Sequence, residues 1–168
     1  KIKSWQDYKN RFVTEKVIKD GRLFLSKHKK NLEKAYKIYG VPASVIVGIL
    51  GVETRYGEIT GDYKSLDTLA TFAFEDFKRK KFYLNELEHL FLLARENDID
   101  VNSFRGSFAG ALGIPQFMPS SWRNFAVDFD NDGKINLLKS PADAIGSIAN
   151  YLSIHGWKPN EVSHARIY

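Results

Sequence analysis

Two stretches carry side chains able to do chemistry. The apolar run Val45-Ile46-Val47-Gly48-Ile49-Leu50-Gly51-Val52 delivers a carboxylate, Glu53, and then breaks at Tyr56-Gly57. In the last turn of a buried helix such an acid meets the negative end of the helix dipole and a low dielectric, and both push its pKa upward. An acid that keeps its proton near neutral pH is what a general acid needs to protonate a leaving oxygen, for example that of a glycosidic bond. The alternative is that Glu53 reaches solvent past Gly57 or pairs with a cation such as Arg55 or Arg79.

The second stretch is DFDNDGKIN, in which Asp128, Asp130 and Asp132 alternate, Gly133 follows at the sixth position and Lys134 offers a carbonyl at the seventh. Hard oxygen ligands at alternate positions let a chain wrap one cation, and glycine permits the sharp bend, so this reads as the first half of an EF-hand-like calcium loop. The acid expected at the twelfth position is Lys139 here, and Asp143, at the start of the next helix, closes the site instead. The other reading is an acidic turn with no ion. Calcium would be structural rather than catalytic, since nothing nearby points to a metal-activated nucleophile.

Other chemistries find little support. His28, His89, His155 and His164 are scattered, with no ligand-spaced pair, and the absence of cysteine removes thiolate zinc sites, disulfides and a Cys nucleophile. GSFAGALG lacks a preceding strand and a Lys-Ser/Thr ending, so it reads as close packing or backbone approach to a ligand rather than a phosphate cradle. The run Lys78 to Lys81 is a solvated helix face or a contact for an anionic polymer.

The elements that position these residues are helical. Leu32, Ala35, Tyr36 and Tyr39 form one face of a helix over residues 20–39, stopped by Gly40. Pro42 opens a helix, apolar nearly all round, that runs to about Thr54 and belongs in the core. A third covers SLDTLATFAF. A fourth spans Arg79 to Glu96 with Leu87, Leu90, Phe91 and Ala94 on its stripe, and a last one carries Ile145, Ile148, Ala149 and Leu152. Strand signals are nearly absent. With 168 residues, 43% of them hydrophobic, and no repeat or linker, the expectation is a single mostly α domain over residues 1–168, with an irregular, functional-looking segment between 103 and 140. The net charge of +5 favours an acidic partner without choosing among nucleic acid, anionic lipid and cell-wall polymer. No apolar run reaches membrane-spanning length. The opening KIKSWQDYKN has no basic-then-apolar signal pattern, as expected of a cytosolic chain or of a mature or trimmed exported one.

The stretches VPASVIVGILGVETRYG, DTLATFAF, GSFAGALGIPQFMPSSW, VDFDNDGKINL and PADAIGSIANYLSIHGW together resemble the membrane-bound lytic transglycosylase B family of peptidoglycan-cleaving enzymes, over about residues 38–158. The resemblance implies a lysozyme-like helical catalytic domain. It would cleave the β-1,4 bond between N-acetylmuramic acid and N-acetylglucosamine and leave a 1,6-anhydromuramoyl end, without external water. Glu53 matches the family's single catalytic acid and base. Ser107 and Gln116 match positions that contact the sugar around the cleavage point, Arg79 a substrate-contacting arginine, and Tyr151 a groove aromatic. Phe82 stands where the family often has Tyr. Asp128, Asp130, Asp132, the Lys134 carbonyl and Asp143 match the calcium ligands, with the stretch to the last acid one residue longer.

The resemblance also implies peptidoglycan glycan strands as the partner, with cell-wall assembly proteins or a chain completing the groove as further partners, no nucleic acid, and a place in the periplasm or cell envelope. Where this chain stops, at EVSHARIY, family members continue with a segment that adds an Asn and Tyr residues to the groove. Ordinary glycosidases need two carboxylates; a transglycosylase works with one, because the substrate supplies its own nucleophile. The rivals are a hydrolytic muramidase using Asp62 or Asp67 as a second acid, and a catalytically silent peptidoglycan-binding module. Tyr56, Phe117 and Trp122, like Tyr151, are candidate sugar platforms or packing residues.

Overall fold

The computed structural model describes residues 4–75, 78–159 and 161, so His164 lies outside the described residues. Two short N-terminal helices, α1 (Trp5–Phe12) and α2 (Glu15–Lys27), begin at Ser4 and Thr14, whose hydroxyl oxygens accept the amides of Asp7 and Val17. The single helix expected over residues 20–39 is in fact broken: α2 ends at Lys27, His28 steps out of helical geometry, and α3 runs Lys29–Tyr39. The break has a packing cause. α2 lies against α4 (Ala43–Thr54), whereas α3 packs chiefly on α8 (Pro141–Ile154), and one straight rod cannot serve both.

Gly40 ends α3 at φ 68, where a Cβ would lie 2.3 Å from the Pro159 ring, and its carbonyl accepts the Trp157 indole N–H. Pro42 is the cap residue of α4 rather than its first helical residue. A strand pair of two residues each follows, β1 (Tyr63–Lys64) antiparallel to β2 (Arg105–Gly106), with Tyr63 opposite Gly106. Between them α5 (Ser65–Phe74) and α6 (Lys80–Glu96) form a tightly packed pair.

The buried stripe of α6 is Tyr83, Glu86, Leu87, Leu90, Leu93 and Ala94; Phe91, expected inside, is half exposed. α7 (Pro119–Phe125) is a short helix within the segment that the sequence leaves irregular. α8 passes through the centre of the molecule, with every residue from Ala142 to Ala149 buried. Gly146 is required there, because a Cβ would stand 2.3 Å from Cγ of Phe129. Among the described residues no single helix is long and apolar enough to cross a membrane.

Candidate active site

The end of α4 is shaped by one wedge. The Tyr56 ring stacks on Phe24, and its hydroxyl donates to the Val17 carbonyl at 3.0 Å. It fits only because α2 and α4 present Gly21 and Gly51, where a Cβ would meet the Tyr56 oxygen at 2.5 and 2.7 Å. The amides of Arg55 and Tyr56 close on the Leu50 carbonyl, and Arg55, Tyr56 and Gly57 stand in succession at φ 49, 64 and 93. Two consecutive non-glycine residues in the left-handed region are a local cost that the surrounding packing must hold in place. Tyr56 is thus a structural wedge.

This sharp stop leaves Glu53, the penultimate residue of α4, facing outward into a cleft of about 320 Å³. Its floor and walls come from Ile49, Gln116, Met118, Ser121, Tyr151 and Leu152, among others. α4, apolar nearly all round, belongs to the core through Ile46, Val47, Leu50, Gly51 and Thr54, while Gly48, Val52 and Glu53 are exposed on its open side. Even so, desolvation by the cleft walls raises the Glu53 carboxyl above its ordinary value of 4.5. Accessibility and desolvation coexist because the side chain is reachable by a ligand while apolar neighbours displace much of its water. Neither Arg55 nor Arg79 pairs with it, and among the described residues no hydrogen bond or ion pair reaches its carboxylate. It is the single acid lining the cleft among the described residues; Asp62 and Asp67 are exposed and lie outside that lining.

Gln116 sits at φ 54, with its side-chain amide donating to the carbonyls of Thr60 (3.0 Å) and Gly113 (2.9 Å), and lines the cleft beside Glu53. Tyr151, on α8, lines the same cleft. Its ring is stacked by His155 at 4.0 Å, flanked by Phe117 at 5.5 Å and met edge-on by Phe125 at 5.2 Å, so much of its face is already covered. Ser107 is outside the cleft lining; its oxygen accepts the amides of Ala109 and Ala111 and shapes the turn after β2. Arg79 is also outside the lining, with its guanidinium 4.1 Å from the Phe82 ring centroid. Phe117 and Trp122 are buried, and Phe117 also lines the cleft whereas Trp122 does not.

One contributor escaped the sequence reading. Glu86 is 2% exposed, and its two carboxylate oxygens take the Ser120 amide (2.9 Å) and hydroxyl (2.6 Å), anchoring α7 and the Met118–Ser121 wall of the cleft to α6. The signal was present: Glu86 falls on the apolar stripe of its helix, one residue before Leu87, where an acid needs a buried partner.

The acidic loop lies between α7 and α8. Carboxylate oxygens of Asp128, Asp130 and Asp143 are all within 4.8 Å of one another, and Asp143 is buried at the first turn of α8. Asp132 stands apart from that cluster, its Oδ1 accepting the Lys134 amide at 2.8 Å, while Asp128 accepts the amides of Asp132 and Gly133. Burial raises the Asp143 carboxyl, opposed by hydrogen bonds from the amides of Asn136 and Phe129. Hard oxygens drawn this close on a buried acid suit a cation of the calcium type, which would offset their mutual repulsion.

A mostly helical, lysozyme-like fold with one acid lining an open cleft among the described residues is the framework. Residues 1–167 match the model of the family described as Transglycosylase SLT domain, and the chain belongs to that family. It is 46% identical over 154 residues to membrane-bound lytic murein transglycosylase B of Escherichia coli (strain K12), covering 92% of this chain and 42% of that protein. Among solved structures it resembles the Escherichia coli lytic transglycosylase Slt35 in complex with calcium, at 45% identity and a TM-score of 0.91 over 94% of this chain and 50% of that one. It also resembles SltB3 from Pseudomonas aeruginosa in complex with NAG-anhNAM-pentapeptide, at 33% identity and a TM-score of 0.86 over 93% of this chain and 41% of that one. The chain thus spans about half the length of these relatives or less.

Proposed function

We propose that this chain is the catalytic portion of a peptidoglycan lytic transglycosylase, which cleaves the β-1,4 bond between N-acetylmuramic acid and N-acetylglucosamine and closes a 1,6-anhydro ring on the muramoyl residue. The observation that carries the reading is a desolvated acid that stands alone in the cleft and unpaired among the described residues. Protonated Glu53 gives its proton to the glycosidic oxygen as the bond to the anomeric carbon breaks, and the N-acetylglucosamine side leaves as an alcohol. The carboxylate so formed takes the proton from the muramoyl 6-hydroxyl as that oxygen bonds to the anomeric carbon. One residue serves as acid and then as base. The intramolecular hydroxyl stands in for water and for a second carboxylate. Gln116 orients the sugar near the bond, Ser107 contacts it from the turn after β2 outside the cleft lining, Tyr151 presents the exposed part of its ring, and Arg79 contacts a more distant part of the strand.

Asp128, Asp130 and Asp143 hold a structural calcium ion, and Asp132 and the Lys134 carbonyl, outside that cluster, turn in to complete its shell when the ion binds. The cluster shares no residue with the cleft lining, and the likeness to a transglycosylase solved with calcium supports the same reading. The ion would neutralise the carboxylates and brace the loop; it takes no part in bond cleavage. The partner is the glycan strand, together with cell-wall assembly proteins or a chain completing the groove. The place of action is the periplasm or cell envelope.

The test is mass spectrometry of the fragments released from purified peptidoglycan by the unmodified chain and by Glu53→Gln. Anhydro products, one water lighter than hydrolysed fragments and absent with the variant, are expected. Reducing ends would identify a muramidase, and binding without any cleavage a glycan-binding module.

A further inference from the structure

Thr54 follows Glu53 directly and is fully buried, yet it takes no part in the chemistry above. Its hydroxyl donates to the Ile114 carbonyl at 2.8 Å and accepts the Gly57 amide at 3.0 Å. The other side of Ile114 is also held, its amide donating to the Leu137 carbonyl at 2.9 Å. Leu137 comes this close only because residue 113 is glycine: a Cβ there would lie 2.3 Å from the Leu137 oxygen. One residue earlier, the Asn136 amide donates to one oxygen of Asp143 at 2.8 Å, while the other oxygen takes the Phe129 amide at 2.8 Å.

A series of short hydrogen bonds, joined by covalent neighbours, therefore runs from the buried acid of the loop to the turn that sets Glu53. Thr54, Ile114, Leu137 and Asp143 along it are all nearly or fully buried, where such bonds are strong and costly to leave unmade. Gln116 belongs to the same turn as Ile114, and its amide leans on Gly113. Two polar residues of the cleft lining, Glu53 and Gln116, are thus referred to one segment, Gly113–Ile114.

We propose that Thr54 is the positioning residue for Glu53, and that Ile114 passes the state of the acidic loop to it. A cation held by Asp128, Asp130 and Asp143 fixes Asn136 and Leu137, and through Ile114 and Thr54 it narrows the orientations open to Glu53. The inference rests on the reading of Glu53 as the acid. Thr54 acts through hydrogen bonds rather than bulk: valine has nearly its shape but leaves the Ile114 carbonyl and the Gly57 amide without this partner.

Two measurements test it. In steady-state cleavage, Thr54→Val lowers kcat by about ten- to a hundredfold while KM stays within about twofold, and Thr54→Ser, which keeps the hydroxyl, recovers kcat to within about threefold. In amide hydrogen exchange without substrate, adding calcium to the unmodified chain slows exchange at Asn136, Ile114 and Gly57 together, by about tenfold. In Thr54→Val that slowing reaches Ile114 and is lost at Gly57. Unchanged kcat in Thr54→Val overturns the positioning role. Calcium protection confined to residues 128–143 of the unmodified chain overturns the relay, and does so even if the valine variant does not fold. Failure of the underlying catalytic reading looks different: Glu53→Gln would continue to cleave while the exchange response at Gly57 stayed intact.

Discussion

The wedge formed by Tyr56 between Gly21 and Gly51 allows a quantitative check on how the catalytic turn is held. Gly51→Ala places a Cβ 2.7 Å from the Tyr56 oxygen, 3.0 Å from Cζ and 3.1 Å from Cε1. The ring has little room to withdraw, since Gly21 limits the same oxygen from the other side, the hydroxyl is bonded to Val17 and the ring packs on Phe24. Overpacking of this kind costs about 1–3 kcal/mol. Replacing an interior helical glycine by alanine returns about 1 kcal/mol. The variant is therefore destabilised by roughly 0–2 kcal/mol, the net of these two opposed terms. Tyr56→Phe alone loses one hydrogen bond, about 1 kcal/mol, because the Val17 carbonyl also sits within the hydrogen-bond ladder of α2. In the alanine background the same change also removes the closest clashing atom, so it should cost almost nothing. The double variant should then be more stable than the sum of the singles by about 1 kcal/mol, measurable from urea unfolding midpoints at constant slope. Additivity to within about 0.3 kcal/mol would refute the wedge as the reason for the two glycines.

Three further outcomes are expected. Burial raises the Glu53 carboxyl in the folded chain above its unfolded value, so its contribution to stability is present at low pH and is lost as pH rises through the raised value. Thermal unfolding should therefore show Glu53→Gln gaining on the parent as pH rises past the ordinary carboxyl value and through the raised one, and a constant difference would contradict the shift. Calcium at about a hundredfold over its dissociation constant should stabilise the chain by about 2.7 kcal/mol, raising the Tm by roughly 5–10 °C. No such rise should occur in Asp128→Ala with Asp143→Asn, and a parent insensitive to calcium would remove the metal site. Glu86→Ala leaves the Ser120 amide and hydroxyl without their partner beneath the cleft wall and should cost about 2–3 kcal/mol in urea unfolding, whereas Glu86→Gln, which keeps one acceptor, should cost less.

The sequence by itself determined what depends on neighbours along the chain. Helical period located the core stripes of α6 and α8, the glycine and proline at residues 40 and 42 located the break before α4, and alternating aspartates located the acidic loop. Glu53 stood out because an acid ending an apolar run is locally anomalous. Even so, period alone misplaced Phe91 and overlooked the break at His28, since both follow from which neighbours a helix must face.

Tertiary structure decided everything that depends on distance through space. Glu53 is open to a cleft rather than enclosed because α4 turns Gly48, Val52 and Glu53 away from the core, and Tyr56 locks the following turn into a slot built from two helices. Gln116 and Tyr151 share that cleft while Ser107 and Arg79 stand outside its lining, although all four resembled substrate contacts alike. Asp143 joins Asp128 and Asp130 while Asp132 does not, because the first turn of α8 brings in a residue from farther along the chain. Thr54, Ile114 and Leu137 carry no chemical signature at all. They matter because buried hydrogen-bonding groups must find partners, and those partners are chosen by packing between segments that are 60 and 23 residues apart in the sequence.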